Sequence, residues 1–195
     1  SESNWIVSNL EDPESRSTLV QQVVRIGRTS PYNGVDLNFE SISEKDLPAF
    51  ASFYVDVARA LHKHRKTVSV SINATHLSAE SRNVWAKVAS EVDGVKVLLY
   101  PENHKRNLPG PVASTAWSKR SLESYLEFLP KEKVSFAMPL YGQCWSGASE
   151  PEGTMMFKGR PQIPSPVYLN HTVYRDKEGN PHVKSDSGDT ECWFE

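Results

Sequence analysis

The sequence predicts an α/β fold with a parallel sheet, and three observations support this. Four strand-like segments alternate with helix-like segments between residues 15 and 141, as in β/α units. Residues 95–100 are apolar almost throughout, as expected for a strand that is buried on both faces. The chain beyond Cys144 is rich in Gly, Pro, Ser and charge, which predicts a different, antiparallel part.

The elements are predicted from the spacing of apolar residues. Apolar residues at three- and four-residue steps indicate a helix, and alternating apolar residues or a short apolar run indicate a strand. The clearest buried helical stripe runs from Phe50 to Leu61. It is preceded by Asp46, a plausible cap, and by Pro48, which suits the first turn. The predicted helices cover residues 15–26, 46–61, 78–92 and 117–129, and the predicted strands cover residues 34–40, 67–72, 95–100 and 134–141.

The end of the chain predicts a β-hairpin and not a further β/α unit. Gly179, Asn180 and Pro181 form a turn between two short β-prone arms over residues 173–183.

The two cysteines, Cys144 and Cys192, are too few for a disulfide scaffold. We expect two ordinary thiols in preference to a bridge.

Composition argues against several classes of partner. Lys plus Arg number 22 against 24 Asp plus Glu, and the net charge of -2 gives no reason to expect nucleic acid. No apolar run approaches the roughly 20 residues that span a bilayer. The six histidines form no metal-ligand spacing, and the basic run at residues 62–66 ends a helix, where cations are favoured. We therefore expect no metal and no other cofactor.

The informative segment is the strand at residues 34–40, in which Asp36, Asn38 and Glu40 occupy alternate positions. Side chains alternate between the two faces of a strand, so these three point into one space. A carboxyl group in such a space is either hydrogen-bonded or held protonated, and a protonated carboxyl is what a glycosidic general acid requires. The alternation alone fits equally well a strand end whose polar face meets solvent.

This segment resembles the signature of glycoside hydrolase family 18, Asp-Gly-x-Asp-x-Asp-x-Glu, which ends the fourth barrel strand of that family. Residues 33–40 read Asn-Gly-Val-Asp-Leu-Asn-Phe-Glu. Residues 95–100 resemble the sixth strand, which ends in Met-x-Tyr-Asp in the family. Residues 110–113 and 136–142 resemble the linker and seventh strand of the branch that includes spore-cortex-lytic enzymes. Residues 193–195 resemble the end of the insertion that follows.

The resemblance implies a partial (β/α)8 TIM barrel, about strands four to seven, with an antiparallel insertion after the seventh strand. Residues 1–143 would form the partial barrel and residues 144–195 the insertion with its hairpin. Strands one to three and strand eight would be missing, so we expect open sheet edges and exposed apolar helix faces.

The resemblance also implies hydrolysis of β-linked N-acetylglucosamine glycans, either peptidoglycan of the spore-cortex type or chitin. Glu40 would protonate the glycosidic oxygen, and the acetamido carbonyl of the substrate would attack the anomeric carbon. Asn38 would contact the acetamido N–H, Asp36 would support Asn38, and Tyr100 would donate to the acetamido oxygen. The partner is then an N-acetylated polysaccharide or oligosaccharide, and its class favours an extracellular, cell-envelope or spore location.

Tyr141, Trp145, Met138 and Asn73 are further candidates for contacts with the sugar. Aromatic faces stack on sugar rings, although buried aromatic residues are as common in protein cores. Asn73 also begins a glycosylation sequon, which we attribute to chance because it ends a predicted strand beside the presumed cleft.

Two departures from the family pattern leave other functions open. Asn38 stands where the family usually has Asp, and Pro101 replaces the Asp after Tyr100. An Asn oxygen can accept from an acetamide N–H but supplies no negative charge, and losing such support costs roughly 10²–10³ in rate. The alternatives are a catalytically impaired carbohydrate-binding protein and a structural fragment without a sugar site.

Overall fold

The computed structural model describes residues 2–39, 42–102, 109–146, 160–162, 172–184 and 190–193. The chain divides into two compact units, Ser1–Leu98 with Ser124–Phe136 and Leu99–Glu123 with Ala137–Glu195. The predicted domain boundary between residues 143 and 144 stays a prediction.

Five α-helices and nine strands lie within the described residues. The helices are α1 (Glu2–Glu11), α2 (Pro13–Thr29), α3 (Leu47–His62), α4 (Ala79–Glu91) and α5 (Thr115–Leu126), with a short 3-10 helix at Lys131–Lys133. The strands are β1 (Gly34–Asn38), β2 (Thr67–Asn73), β3 (Gly94–Leu98), β4 (Val134–Ala137), β5 (Gly142–Ser146), β6 (Arg160–Gln162), β7 (Tyr174–Arg175), β8 (Pro181–Lys184) and β9 (Thr190–Trp193). None of the helices described is long and apolar enough to cross a bilayer.

The first four strands form a parallel sheet in the order β1-β2-β3-β4, which confirms the predicted α/β class. In the register of the sheet, Asp36 is beside Ser69, Asn38 is beside Ser71, and Ser71 is beside Lys96. The described strands leave β1 and β4 at the edges, and Phe136 of β4 is 52% exposed. β1 and β4 are thus the edge strands among the described residues, and the open, partial barrel stays a prediction.

The core of the first unit lies between this sheet and its helices. α3 packs on β2 and also on α2 and α4. Phe39 follows β1 and contacts the rings of Phe50, Phe53 and Tyr54 on α3. Apolar residues of the strands therefore face the helices, and the alternate positions of β1 are left for the polar side chains. The fully buried members of this core include Val57, Leu61, Val68, Val70, Val88, Val95 and Val97.

Helix ends in the first unit are held by side chains. Asp12 caps α2 by accepting a bond of 2.8 Å from the Ser15 N–H, and Ser78 caps α4 by accepting from Ser81. Lys133 donates to the carbonyl oxygens of Ala89, Ser90 and Val92 at the end of α4. Such contacts satisfy backbone groups that a helix leaves unpaired.

The element boundaries differ from the prediction in several places, including one helix and two strands. α1 was not predicted, because its sparse apolar residues give no clear periodic stripe. β3 ends at Leu98 and β4 at Ala137, so both strands are shorter than the apolar runs that predicted them. Apolar runs continue into the buried segments that follow a strand, so composition alone marks a strand end poorly.

The second unit contains a five-stranded sheet in the order β6-β5-β9-β8-β7, in which the neighbouring strands are antiparallel. The predicted hairpin is confirmed as β7 and β8. Gly179 takes a φ of 90° in its turn, a conformation that favours glycine. The Asp176 carboxylate accepts from the backbone N–H groups of Glu178 and Asn180, which fixes the turn further.

The expectation of two ordinary thiols is wrong. Cys192 is disulfide-bonded, and its register partner on β5 is Cys144, the other cysteine of the chain. The pairing of β5 with β9 brings together positions that are distant in the sequence, which spacing alone does not reveal.

Candidate active site

A polar face covers one side of β1, β2 and β3, opposite the helices. Its central group is Asp36 of β1. One carboxylate oxygen accepts from the Ser69 hydroxyl at 2.5 Å and lies 3.3 Å from the Lys96 ammonium, and the other accepts from the Ser71 hydroxyl at 3.0 Å. The residues of this polar face are Asp36, Asn38, Ser69, Ser71, Asn73 and Lys96.

These contacts set the charge of Asp36. Partial burial by itself would raise the pKa of this carboxyl, because the charged form loses water. The hydrogen bonds from Ser69 and Ser71 and the positive charge of Lys96 together outweigh burial and hold the pKa below its ordinary value. Asp36 is therefore a carboxylate at neutral pH.

Asn38 lies two residues further along β1, on the same face, and is exposed. Its amide has no hydrogen-bond partner in the part of the chain that the structure describes. The Asp36 side chain bonds to the two serines and Lys96 and, among the described residues, makes no bond to the Asn38 side chain. Glu40, the predicted proton donor, lies outside the described residues.

Asn73 ends β2 on this face, and its backbone is held by Tyr125 near the end of α5. The Tyr125 hydroxyl donates to the Asn73 carbonyl oxygen at 2.8 Å and accepts from the Thr75 N–H at 3.2 Å. Tyr125 is only 3% exposed, so these bonds are shielded from water. The loop at the carboxyl end of β2 is therefore fixed from the helix side.

The second unit carries Tyr100, Tyr141 and Met138. The rings of Tyr100 and Tyr141 meet edge to face, with centroids 6.3 Å apart, and burial raises the pKa of Tyr141. Met138 is 48% exposed. The Tyr100–Pro101 peptide bond is cis. The backbone of Trp145 is part of β5, but its side chain lies outside what the structure describes.

A small cavity lies beside the carboxyl ends of β1 and β2 and is lined in part by Ser71, Asn73 and Glu44. Its volume of about 80 Å³ is far below the roughly 300–1,000 Å³ of sites that enclose small-molecule ligands. This cavity is therefore too small to enclose a sugar-sized ligand.

The sequence did not indicate Lys96, Ser69 or Ser71 as part of the site. We expected β3 to be apolar on both faces, but the Lys96 side chain is 40% exposed and reaches Asp36. The signal was present, because a single Lys between Val95 and Val97 marks one face of an otherwise apolar strand. Its partner became visible only through the strand order.

The family model of Glycosyl hydrolases family 18 matches residues 3–190, nearly the whole chain. The chain belongs to this family. Membership confirms the family that the resemblance of residues 33–40 to the signature indicated.

Relatives of known sequence or structure are similar along most of the chain. The uncharacterized glycosylase YvbX of Bacillus subtilis (strain 168) is 29% identical over 143 residues, which are 70% of this chain. The crystal structure of a chitinase from Chromobacterium violaceum ATCC 12472 has a TM-score of 0.77 and 20% identity over 94% of this chain. The Bacillus cereus spore cortex-lytic enzyme SleL has a TM-score of 0.75 and 19% identity over 95% of it.

The chain spans less than half of the length of some of these relatives. It covers 41% of YvbX, 44% of the SleL chain and 60% of the chitinase chain. The structural matches establish the α/β fold of the family, and the activity of the whole protein is a separate question.

Proposed function

We propose that this chain is part of a glycoside hydrolase that cleaves β-linked N-acetylglucosamine glycans, in peptidoglycan of the spore cortex or in chitin. The observation that carries the proposal is the polar face: Asp36 is fixed by three donors, and Asn38, whose amide has no partner within the described ranges, follows at the next position of the same face. Membership in glycosyl hydrolases family 18 supports it.

Glu40 is proposed as the general acid and base. In the alternating pattern of the sequence, it is the next polar position after Asp36 and Asn38. As an acid it would donate its proton to the glycosidic oxygen while the acetamido carbonyl of the substrate attacks the anomeric carbon. As a base it would then take a proton from the water that opens the cyclic intermediate, which gives retention of configuration.

The acetamido group needs its own contacts during this reaction. Asn38 is proposed to accept a hydrogen bond from the acetamido N–H through its side-chain oxygen. Tyr100 is proposed to donate to the acetamido oxygen. Tyr141, Trp145, Met138 and Asn73 are proposed to contact the sugar.

In barrel terms, β1 to β4 would be the fourth to seventh strands of a (β/α)8 barrel, and the five-stranded sheet of the second unit would belong to the insertion. The spore cortex is proposed ahead of chitin because residues 110–113 and 136–142 resemble the spore-cortex-lytic branch. SleL, a spore cortex-lytic enzyme, is among the similar structures. An extracellular, cell-envelope or spore location follows from this substrate class.

A second candidate is a carbohydrate-binding protein that has lost turnover. Two observations favour it. Asn38 supplies no negative charge to the cationic intermediate, and Pro101 occupies a position where the family has Asp. Binding without hydrolysis would distinguish this candidate from the first.

The decisive experiment measures product release from chitooligosaccharides and from cortex glycan by the full-length protein and its Glu40→Gln variant. We expect the variant to lose about 10²–10⁴ in rate, because general acid catalysis contributes that much. Asn38→Asp should raise the rate by roughly 10²–10³ by restoring the negative charge beside the intermediate.

Glu80→Gln is a matched control, since Glu80 is an exposed carboxylate on α4, and it should leave the rate unchanged. Full activity in Glu40→Gln would falsify the assignment of the acid. Tight glycan binding by calorimetry without turnover in the wild type would instead support the second candidate.

A further inference from the structure

Lys96 is an unusual residue for its place in the sheet. It lies in the middle of β3, between Val95 and Val97, which are both almost fully buried. Its ammonium group turns to the polar face and comes within 3.3 Å of Asp36 on β1. The side chain therefore reaches past β2, the strand that lies between β1 and β3.

This contact makes Asp36 a junction of three strands. The carboxylate belongs to β1, the Ser69 and Ser71 hydroxyls that donate to it belong to β2, and Lys96 belongs to β3. Charged acceptors form stronger hydrogen bonds than neutral ones, so both serine bonds gain from a negative Asp36. A cation beside the carboxylate favours that charged form.

Asn38 leaves the charges of the polar face to Asp36 and Lys96. Among the described residues of the polar face, Asp36 is the one carboxylate and Lys96 the one ammonium group. Because Asn38 is neutral, it does not compete with Asp36 for Lys96. The charges of Asp36 and Lys96 balance each other within the polar face, and the Asn38 side chain bonds to neither of these two groups.

We propose that Lys96 is a positioning residue of the hydrolase: its ammonium group holds the Asp36 carboxylate against Ser69 and Ser71 and so fixes the part of β1 that presents Asn38 to the substrate. Lys96 acts through Asp36 and does not touch the sugar in this role. The inference rests on the proposed function for its catalytic consequence, and its electrostatic part is independent of that function.

Four described groups face Asp36 from the elements packed against it. Ser69 and Ser71 donate from β2, Lys96 attracts from β3, and the hydroxyl of Tyr54 lies on the helix side. Tyr54 is fully buried, its hydroxyl has no hydrogen-bond partner among the described residues, and its pKa is raised by burial and by the charge of Asp36. Tyr54 therefore stays neutral, and Lys96 is the group whose charge opposes that of Asp36.

The test compares the pH dependence of kcat/KM for the full-length wild type, Lys96→Met and Lys96→Arg. Loss of the cation raises the pKa of Asp36, so the acidic limb of the Lys96→Met profile should move to higher pH by about one unit. Lys96→Arg keeps the positive charge, so the acidic limb of its profile should lie within a few tenths of a pH unit of the wild-type limb. Lys87→Met removes an exposed lysine of α4 and should not move it.

A Lys96→Met profile that coincides with that of the wild type overturns the proposal. So does a Lys96→Arg profile that matches Lys96→Met, because the charge would then not be the active property. A residue that only fills space would affect the rate at every pH and would not be rescued by Arg.

A second measurement serves if Lys96→Met does not fold or if the wild type hydrolyses neither glycan. Carbon-13 NMR follows the titration of the Asp36 carboxyl in the wild type and in Lys96→Arg. We expect midpoints below about 3.9, the ordinary value for Asp. A midpoint at or above that value overturns the role of Lys96, whereas absence of turnover with a low midpoint overturns only the proposed function.

Discussion

At the scale of single residues, buried hydrogen bonds fix the loops around the polar face. Tyr125 is the clearest case after Asp36, because one hydroxyl serves the backbone of both Asn73 and Thr75. An unpaired buried backbone group costs free energy comparable to a lost hydrogen bond. The sequence predicted a helix at this position but gave no reason to select Tyr125 from its other apolar residues.

We expect Tyr125→Phe to lower the free energy of unfolding by about 1–2 kcal/mol, because the Thr75 N–H and the Asn73 carbonyl lose their shared partner. Urea unfolding followed by circular dichroism measures this change. Tyr32→Phe is the control, since Tyr32 is 74% exposed, and it should change the value by less than about 0.5 kcal/mol. Equal effects of the two substitutions would contradict the assigned role of Tyr125.

At the scale of elements, the site depends on the pairing of β1 with β2. This register sets Asp36 beside Ser69 and Asn38 beside Ser71. The pairing begins at Gly34, whose Cα is the register partner of Thr67. A Cβ at Gly34 would overlap the backbone of Thr67, so glycine is needed here for close approach. The Gly of the family-like signature is therefore also a packing requirement.

We expect Gly34→Ala to destabilise the protein by about 1–3 kcal/mol, the usual cost of forcing extra atoms into a packed site. Gly94→Ala provides a matched control on β3, where the nearest atom to an added Cβ is 3.5 Å away, an ordinary contact. It should be nearly neutral. The comparison uses urea unfolding of both variants, and a tolerated Gly34→Ala would argue against the register of β1 and β2.

At the scale of the whole molecule, acidic groups with lowered pKa values link stability to pH. Asp93 joins Asp36 among them: burial raises its pKa, but bonds from the Val68 N–H and from His62 outweigh burial. A carboxyl whose pKa is lowered in the folded state stabilises the protein at pH values above its pKa in the unfolded chain, near 3.9. This stabilisation is lost as the pH falls through the pKa of the folded state.

We therefore expect the contribution of these carboxylates to the free energy of unfolding to be nearly constant between about pH 5 and 7 and to decrease below about pH 4. Urea unfolding at pH 7 and pH 3 measures the decrease. Asp36→Asn should reduce its size, because that side chain no longer binds a proton. An Asp36→Asn protein with the full acid sensitivity of the wild type would show that Asp36 is not among the responsible groups.

The sequence by itself determined the α/β class, the order of its main helices and strands, the hairpin near the end and the family. It did so because apolar periodicity, turn residues and a short signature are local in the chain. It also determined that Asp36 and Asn38 share a face, since alternation is a property of one strand.

Only the tertiary structure decided which side chains meet across strands. Lys96 and Asp36 are 60 residues apart in the numbering, and their contact depends on the strand order and register of the sheet. The same holds for Tyr125 with Asn73 and for Cys192 with its register partner. Such contacts are non-local, so no pattern within one segment encodes them, and they decide the charge of Asp36 and the shape of the site.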